Sequence, residues 1–311
     1  MSETAFRIAV VIPTKNRPND LLRCIQSVIT QLRQPDELII VDQSADPGIR
    51  IKVERLCESG QLQCKLKYIY DTTITGLVEA KARGVAEASA DIIIFLEDDV
   101  VLQPDYIHEM ELGFRRYPHM AGCCGVVKAA PKQGSFHRLI FRLFHRGIFA
   151  DPRVGIHGQP YMFDGRMIPS PYLSGGLSAY RKEVFNKVLF DTKNGFFMLE
   201  DVDFSTRASR IYGADAFYIN TAAILEHMMS PVNRAVLGKK FENKFREYTL
   251  FYKNNSDRPR ALLNFIWLLT GLMCELVFET IRSLDVGIFY GGVRGLVKGI
   301  CWRIRPLQEY T

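Results

Sequence analysis

The segment DIIIFLEDD, residues 91–99, decides how the rest of this chain is read. Ile92–Leu96 is an unbroken apolar run, and Glu97, Asp98 and Asp99 follow it directly. A short run of this kind, bounded by polar residues, is a strand buried on both faces, the sort found in parallel sheets covered by helices. The three acids then stand at the strand's carboxyl end. Adjacent carboxylates repel one another unless a cation or solvent screens them. They are therefore either a solvated strand end or hard oxygen ligands for a divalent metal that clamps a diphosphate.

Working outward toward the N-terminus, Phe6–Ile12 is a second apolar run, ending at Pro13. Pro18 to Arg33 carries Leu21, Leu22, Ile25, Val28, Ile29 and Leu32 at helical spacing. Glu37–Val41 reads as a strand ending at Asp42, Asp46–Leu56 as a helix, Cys64–Tyr70 as a strand and Gly76–Ala88 as an Ala-rich helix. Strands alternating with helices predict a doubly wound α/β sheet. Ligands of such sheets bind beyond the carboxyl ends of the strands. Pro13–Arg17, Asp42–Ser44 and Glu97–Asp99 all fall there.

Toward the C-terminus the pattern loosens. Residues 122–189 are Gly/Pro-rich, with one helical face made by Phe136, Leu139, Ile140, Leu143 and Phe144. A helix through Asp201–Tyr212 and strands near Ala216–Ile219 and Ala223–His227 resume the alternation. Val236–Asn254 is a charged amphipathic helix, Ala261–Phe278 a mostly apolar one, and Val286–Ile300 apolar and Gly-rich. The expected division is residues 1–230 as the α/β domain and 231–311 as membrane-associating helices.

The chain has 311 residues, 47% hydrophobic and 24% charged, which excludes disorder and collagen. Its net charge is +6. Residues 1–227 hold equal numbers of basic and acidic side chains, so the whole excess lies in residues 228–311. That asymmetry suits a membrane surface and not nucleic acid. Seven cysteines without a CxxC pair, and no apolar leader in Met1–Arg7, fit reduced thiols on the cytosolic side of a membrane. No GxGxxG follows the first strand, and no GxxxxGK[ST] loop, Ser nucleophile elbow or HExxH is present. Glu200 and Asp201 open a helix, where acids act as caps or, facing a crevice, as a general base. His227 ends an apolar strand and is either structural or a ligand.

The order and spacing of five segments resemble family 2 glycosyltransferases, the inverting enzymes of the GT-A fold. They are VVIPTKNRP with Leu21 and Ser27, ELIIVDQS, FLEDDV, YLSGGLSAYRKEVF and FFMLEDVDFSTRASRIYG. The resemblance covers about residues 6–234. It implies a nucleotide-sugar donor held by Pro13, Thr14, Asn16, Arg17, Asp42, Lys81, Glu97, Asp98 and Arg234. Asp42 would accept from the base, and Arg234 would reach the diphosphate. Asp99 and His227 would bind Mn²⁺ or Mg²⁺. Asp201 would be the general base, with Glu200 supporting it. GLVEAKARG is similar to the family's GLxxARNxG, with Lys81 where Arg is usual and Ala82 where Asn is usual. Glu97 stands for the usual first Asp of the acidic triplet.

These features lead to an expected inverting transfer of one sugar from a UDP- or dTDP-sugar to a lipid-linked glycan, at the cytoplasmic face of a bacterial inner membrane, in cell-surface polysaccharide synthesis. The alternatives are transfer to polyprenyl phosphate, a catalytically silent membrane-bound binding protein on the same fold, and a nucleotidyltransferase. The last would want a Gly-rich loop where this chain has PTKNRP. Asn264, Gly271, Glu275 and Arg282 fall on one side of the apolar helix, and the expectation is a wet polar stripe. Leu262, Phe265, Ile266, Leu269 and Phe278 would then enter a membrane interface.

Overall fold

The computed structural model describes residues 5–60, 62–128, 134–154, 163–232 and 235–307. Arg234 lies outside the described residues.

The apolar runs become strands because they are buried on both faces. β1 (Ile8–Thr14), β2 (Glu37–Asp42) and β4 (Ile92–Phe95) are buried at every position. With β3 (Lys65–Tyr70) they pair in parallel, in the order β3-β2-β1-β4. Helices α1 (Pro18–Ile29), α2 (Ile49–Ser59) and α3 (Leu77–Glu87) connect them. Pro18 sits in the first turn of α1, where its missing N–H costs nothing, and Leu21, Cys24, Ile25 and Val28 face the sheet.

The Gly-rich middle contributes more strand than the sequence pattern suggests. β5 (Val100–Leu102), α4 (Tyr106–Arg116), β6 (Gly122–Val127), β7 (Met167–Pro169) and β8 (Ser178–Arg181) lie between the acidic triplet and α6 (Glu200–Tyr212). The two strands expected near 216–219 and 223–227 are one, β9 (Phe217–His227). Asn220 and Thr221 read as a break, but their polar groups find partners in the strand and in the elements beside it. Asn220 Oδ1 accepts from the Ala222 N–H, its Nδ2 donates to the Glu109 carbonyl, and Thr221 Oγ1 donates to the Arg166 carbonyl. Among the described residues nine strands form one sheet, extended by β8, β6, β9 and β5 beyond β4, with β7 on β9. Strand β6 is parallel to β9, while β8, β5 and β7 run against the rest. The predicted mostly parallel α/β fold is thus observed.

The C-terminal part is α7 (Leu237–Asn254), α8 (Ala261–Ser283) and α9 (Val286–Cys301). A second apolar core joins these helices to Val154, Tyr172, Phe196, Leu199 and Val202 of the sheet side. The short helix α5 (Ser135–Ile140) continues as a π-helical turn, Phe141–His145, and lies on α8. Phe136 stacks on Phe278 at 4.1 Å and Phe144 packs on Trp267 at 4.8 Å.

That docking overturns the wet polar stripe except at Arg282, whose side chain is 62% exposed. Asn264 Nδ2 donates to the Phe149 carbonyl, Gly271 faces Phe144, and Glu275 pairs with Lys244. Phe265 and Leu269 pack against the second core, whereas Leu262 (72%) and Ile266 (52%) are exposed. The reason is local: Gly271 leaves room for a ring, and His137 of α5 and Lys244 of α7 meet the acids of α8. The face of α8 left outward is apolar. All seven cysteines are free. Cys274 on α8 and Cys301 on α9 are exposed, and the others are buried or half-buried.

Helix α9 lies on α7 through Gly291, Gly295 and Gly299. A Cβ at Gly295 would overlap the Glu242 carbonyl oxygen, and one at Gly299 would lie 2.6 Å from Thr249 Cβ. A methyl at Gly295 must separate two backbones. The overpacking cost of about 1–3 kcal/mol exceeds the gain of up to about 1 kcal/mol from helix propensity. Gly295→Ala should therefore lower the midpoint of chemical denaturation, and an unchanged or raised midpoint would show that α9 is not held this closely.

Candidate active site

Strands β1, β2, β4 and β9 run in one direction, so their carboxyl ends share one edge of the sheet. There the register of the β5–β9 pair sets the geometry. Val100 lies opposite His227, and the Met228 N–H donates to the Asp99 carbonyl at 2.8 Å. The acidic triplet and the late histidine, 128 residues apart in sequence, are thereby forced together. His227 Nε2 is 3.1 Å from Asp99 Oδ1 and 3.1 Å from Glu97 Oε2. Ligand atoms of Glu97, Asp99 and His227 all lie within 4.8 Å of one another. Two carboxylates and an imidazole suit a hard to borderline divalent cation. Glu97 thus joins the metal-capable group in addition to the donor-binding role expected of it.

The charges are answered within the site. Hydrogen bonds from Asp99 first and Glu97 second, against the cost of burial, raise the His227 pKa to about 10. Burial pushes Asp99 up, but the His227 hydrogen bond and charge, with the Ser230 N–H at 2.8 Å, outweigh it and hold Asp99 below its ordinary value. Asp98 accepts from Thr14 Oγ1 at 2.8 Å and from Arg17 Nη1 at 3.0 Å, yet burial dominates and raises its pKa to about 6. Arg17 also lies 3.7 Å from Asp99 and donates to the Val232 carbonyl at 2.7 Å. Arg17 and protonated His227 are the cations that the triplet requires.

The remaining donor-side residues stand close by. Pro13 is in β1 opposite Val41 and brings no N–H. Asn16, at φ 55°, donates its N–H to Ser44 Oγ and accepts from the Ala45 N–H, which fixes the loop after β1 against the end of β2. Asp42 is fully buried; Tyr68 donates to one of its oxygens at 2.5 Å and the Ser44 N–H to the other at 2.8 Å. Lys81 departs from expectation. It is 2% exposed, hydrogen-bonds Glu200 and donates to the Gly175 carbonyl at 2.9 Å, so its charge serves Glu200 and does not face the open crevice. Burial and the neighbouring Asp201 push Glu200 up, with Lys81 pulling against them.

Asp201 lies in the first turn of α6 without acting as its cap. Its Oδ2 accepts from the Tyr172 hydroxyl at 2.7 Å and the Gly175 N–H at 3.0 Å, and its Oδ1 from the Val202 N–H at 2.8 Å. The side chain is held in one orientation and stays partly exposed. Two residues that sequence reasoning missed support it. Tyr172 had a signal in its place within YLSGG. Glu247 of α7 had none, because its partners are backbone groups. Its Oε2 accepts from the N–H groups of Phe197 (2.9 Å), Met198 (2.6 Å) and Leu199 (3.0 Å), in the turn that leads into α6.

Gly175 and Gly176 tie the two halves together. A Cβ on Gly176 would lie 2.5 Å from the Glu97 carboxyl carbon, and one on Gly175 would lie 3.0 Å from Asp201 Cβ. Two consecutive residues therefore touch the metal-capable cluster on one side and Asp201 on the other.

The sequence profile of glycosyl transferase family 2 matches residues 9–189. The uncharacterized glycosyltransferase YwdF of Bacillus subtilis (strain 168) is 25% identical over 211 residues, 67% of this chain and 69% of that protein. The glycosyltransferase GlyA of Streptococcus pneumoniae serotype 4 is 28% identical over 106 residues, 33% of this chain but 14% of that protein. Among solved structures, the mannosyltransferase PcManGT from Pyrobaculum calidifontis, in complex with GDP-Man and Mn²⁺, superposes with a TM-score of 0.63 at 13% identity, covering 96% of this chain and 88% of that one. S. aureus TarS 1-349 in complex with UDP-GlcNAc gives 0.58 at 17% identity, covering 94% and 80%.

The His227 arrangement has a measurable signature. Its raised pKa means that the pairing stabilises the fold fully below about pH 6.5 and is lost as pH climbs toward 10. In chelator-treated protein, an NMR titration should find the His227 ring protonated through neutral pH, with its midpoint near 10, and Asp99→Asn should move that midpoint down toward about 6.5. A wild-type midpoint below 7 would remove the ion triplet.

Proposed function

The chain belongs to glycosyl transferase family 2 and has the GT-A fold, and we propose that it is an inverting, metal-assisted transferase that moves one sugar from a nucleotide-sugar to a lipid-linked glycan at a membrane surface. The observation that carries this reading is the Gly175–Gly176 turn, which puts Asp201 beside the Glu97, Asp99 and His227 cluster.

The chemistry follows from that adjacency. A sugar hydroxyl is a weak acid and a poor nucleophile. Asp201 takes its proton as the oxygen attacks the anomeric carbon from the face opposite the nucleotide, and one displacement inverts that centre. General-base help of this kind is worth about 10²–10⁴-fold. Asp99, His227 and Glu97 would hold Mn²⁺ or Mg²⁺, which would supply charge stabilisation for the departing diphosphate. Thr14, Asn16, Arg17, Asp42 and Asp98 hold the nucleotide side. Arg17 is the cation nearest the triplet and the residue in place to exchange its carboxylate partners for phosphate. UDP- or dTDP-sugars are favoured on sequence grounds, with the imide N–H of uracil or thymine replacing or sharing an Asp42 oxygen that Tyr68 or the Ser44 N–H holds. Arg234 is proposed to reach the diphosphate on sequence grounds alone.

The membrane reading rests on the outward faces of α8 and α9. Leu262, Ile266, Val277, Ile281 and Leu284 continue into Val286, Tyr290, Val293, Val297 and Ile300, all exposed, with Leu284 at 91%. Helix α8 has the length and composition to cross a membrane. Its other face, however, is committed to α5 and α7, so we favour attachment along the surface, at the cytoplasmic face. Arg258, Arg260, Arg294, Arg303 and Arg305 are exposed in and beside α8 and α9, and each basic residue near an anionic surface contributes about 1 kcal/mol. Residues 1–230 are proposed as the transfer domain and 231–311 as the attachment region.

Two experiments test this. Purified protein screened against sugar nucleotides with Mn²⁺ or Mg²⁺ should release the nucleoside diphosphate. Asp201→Asn should cut turnover by roughly 10² or more while calorimetry still detects nucleotide binding. Full turnover in Asp201→Asn, or in EDTA, would reject the mechanism. In flotation assays the protein should rise with phosphatidylglycerol vesicles and less so in high salt, and Ile281→Glu combined with Leu284→Glu should leave it at the bottom. Equal flotation of the variant would reject attachment through this face.

A further inference from the structure

Helix α8 starts without a side-chain cap, after Arg260 at φ 66°. The Ala261 N–H donates to the Arg258 carbonyl at 3.1 Å, and the Asn264 N–H to the Arg260 carbonyl at 2.8 Å. The N–H groups of Leu262 and Leu263, between them, have no acceptor among the described residues. A helix of 23 residues thus ends in a positive pole with two unanswered donors. Ala261, Leu263 and Asn264 line one side of a cavity of about 220 Å³, and residues 148–153 line the other.

Water could serve a helix terminus alone, but the cavity holds a second unanswered group. Arg153 is part of its lining and only 1% exposed. The Nε and Nη2 of Arg153 hold Asp151 at 2.6–3.1 Å, and the Phe251 ring centre lies 4.9 Å from Cζ. Nη1 is buried and hydrogen-bonds nothing among the described residues. A buried N–H left without an acceptor is costly, and an ion or water at the site is the usual remedy.

Charge decides between the two remedies. Asp151 is the one carboxylate lining the cavity and answers Arg153. Arg258 and Arg260 line it as well, are exposed, and make no ion pair among the described residues. Asp257 beside them is held by Arg210 at 2.8 Å. Two arginines and a helix pole therefore remain uncompensated, which favours an anion over water. The volume falls below the roughly 300–1,000 Å³ of sites for whole drug-sized ligands, so a single small anionic group fits. The rim is apolar: Ile148 is 92% exposed, and Leu262 and Leu263 lead onto the outward face of α8.

We infer that this cavity binds a phosphate group, supplied by the headgroup of an anionic lipid whose chains lie on the apolar face of α8. This rests on the membrane reading above and adds to it one fixed lipid position.

Calorimetry on the full chain uses three probes: dihexanoyl-phosphatidylglycerol, dihexanoyl-phosphatidylcholine, whose headgroup is neutral overall, and inorganic phosphate. The first should bind about tenfold or more tighter than either of the others. Arg258→Gln combined with Arg260→Gly removes both uncompensated charges, and glycine takes φ 66° without strain. That variant should fold, keep its affinity for UDP with Mn²⁺ and lose about tenfold or more in affinity for the phosphatidylglycerol probe. Arg294→Gln combined with Arg303→Gln removes the same charge elsewhere and should leave that affinity unchanged. The inference fails if wild type does not bind the phosphatidylglycerol probe, if the Arg258 and Arg260 variant binds it as wild type does, if the control pair loses as much, or if the phosphatidylcholine probe binds equally well. Inorganic phosphate binding as tightly would keep the phosphate site and overturn the lipid as its source. Flotation separates this inference from the reading beneath it. A wild type that binds the short-chain lipid but does not rise with phosphatidylglycerol vesicles strikes membrane attachment, and one that rises but fails the calorimetry strikes this site alone.

Discussion

One carboxylate holds this molecule's two parts in a fixed relation. Glu247 comes from α7 and is fully buried, and its Oε2 takes three backbone N–H donors from the turn before α6. Burial pushes its pKa up, and the three N–H groups and Arg246 pull against that. Removing it would leave three N–H groups without their acceptor, and the buried one, of Leu199, would cost about 1–3 kcal/mol. Because Asp201 stands in the first turn of α6, its orientation depends on a helix that lies outside the sheet altogether. The C-terminal helices are thus part of how the active-site edge is built. The second apolar core makes the same connection through Phe196, Leu199 and Val202.

At the other side of that edge the constraint is electrostatic. Glu97, Asp98 and Asp99 can share so small a space because Arg17 and His227 supply positive charge on two sides. An incoming divalent ion competes with a proton on His227, so its binding is coupled to proton release. Arg17 is tied to Asp98 and to the Val232 carbonyl, which links the loop after β1 to the segment after β9.

Much of this was legible in the sequence, for physical reasons. Strands β1, β2 and β4 are continuous apolar runs because both faces are buried, and few other structures give that pattern. The acids at their ends follow directly. The Gly/Cys-rich strand β6 was not legible: its glycines are there for close approach, and Gly125 packs against the Tyr106 ring and the Ala223 carbonyl. The continuity of β9 through Asn220 was hidden because side-chain bonds from elsewhere in the fold repair it. Lys81 was read as a donor contact because the motif gives its place in sequence and not its partner; only the three-dimensional packing brings Glu200 to it. The polar stripe of α8 was found correctly as a stripe, but periodicity alone cannot say whether such a face meets water or another helix.

The cysteines gain a different meaning from this packing. Burial pushes the thiols of Cys24, Cys57, Cys64, Cys123 and Cys124 upward, away from the thiolate form that reacts with electrophiles. Cys274 and Cys301 are the exposed pair, one on α8 and one on α9. A maleimide dye or a nitroxide added to the native chain would therefore settle on those two helices. The native sequence carries its own pair of attachment points for spectroscopic reporters, placed by the fold on the helices whose environment is most worth watching.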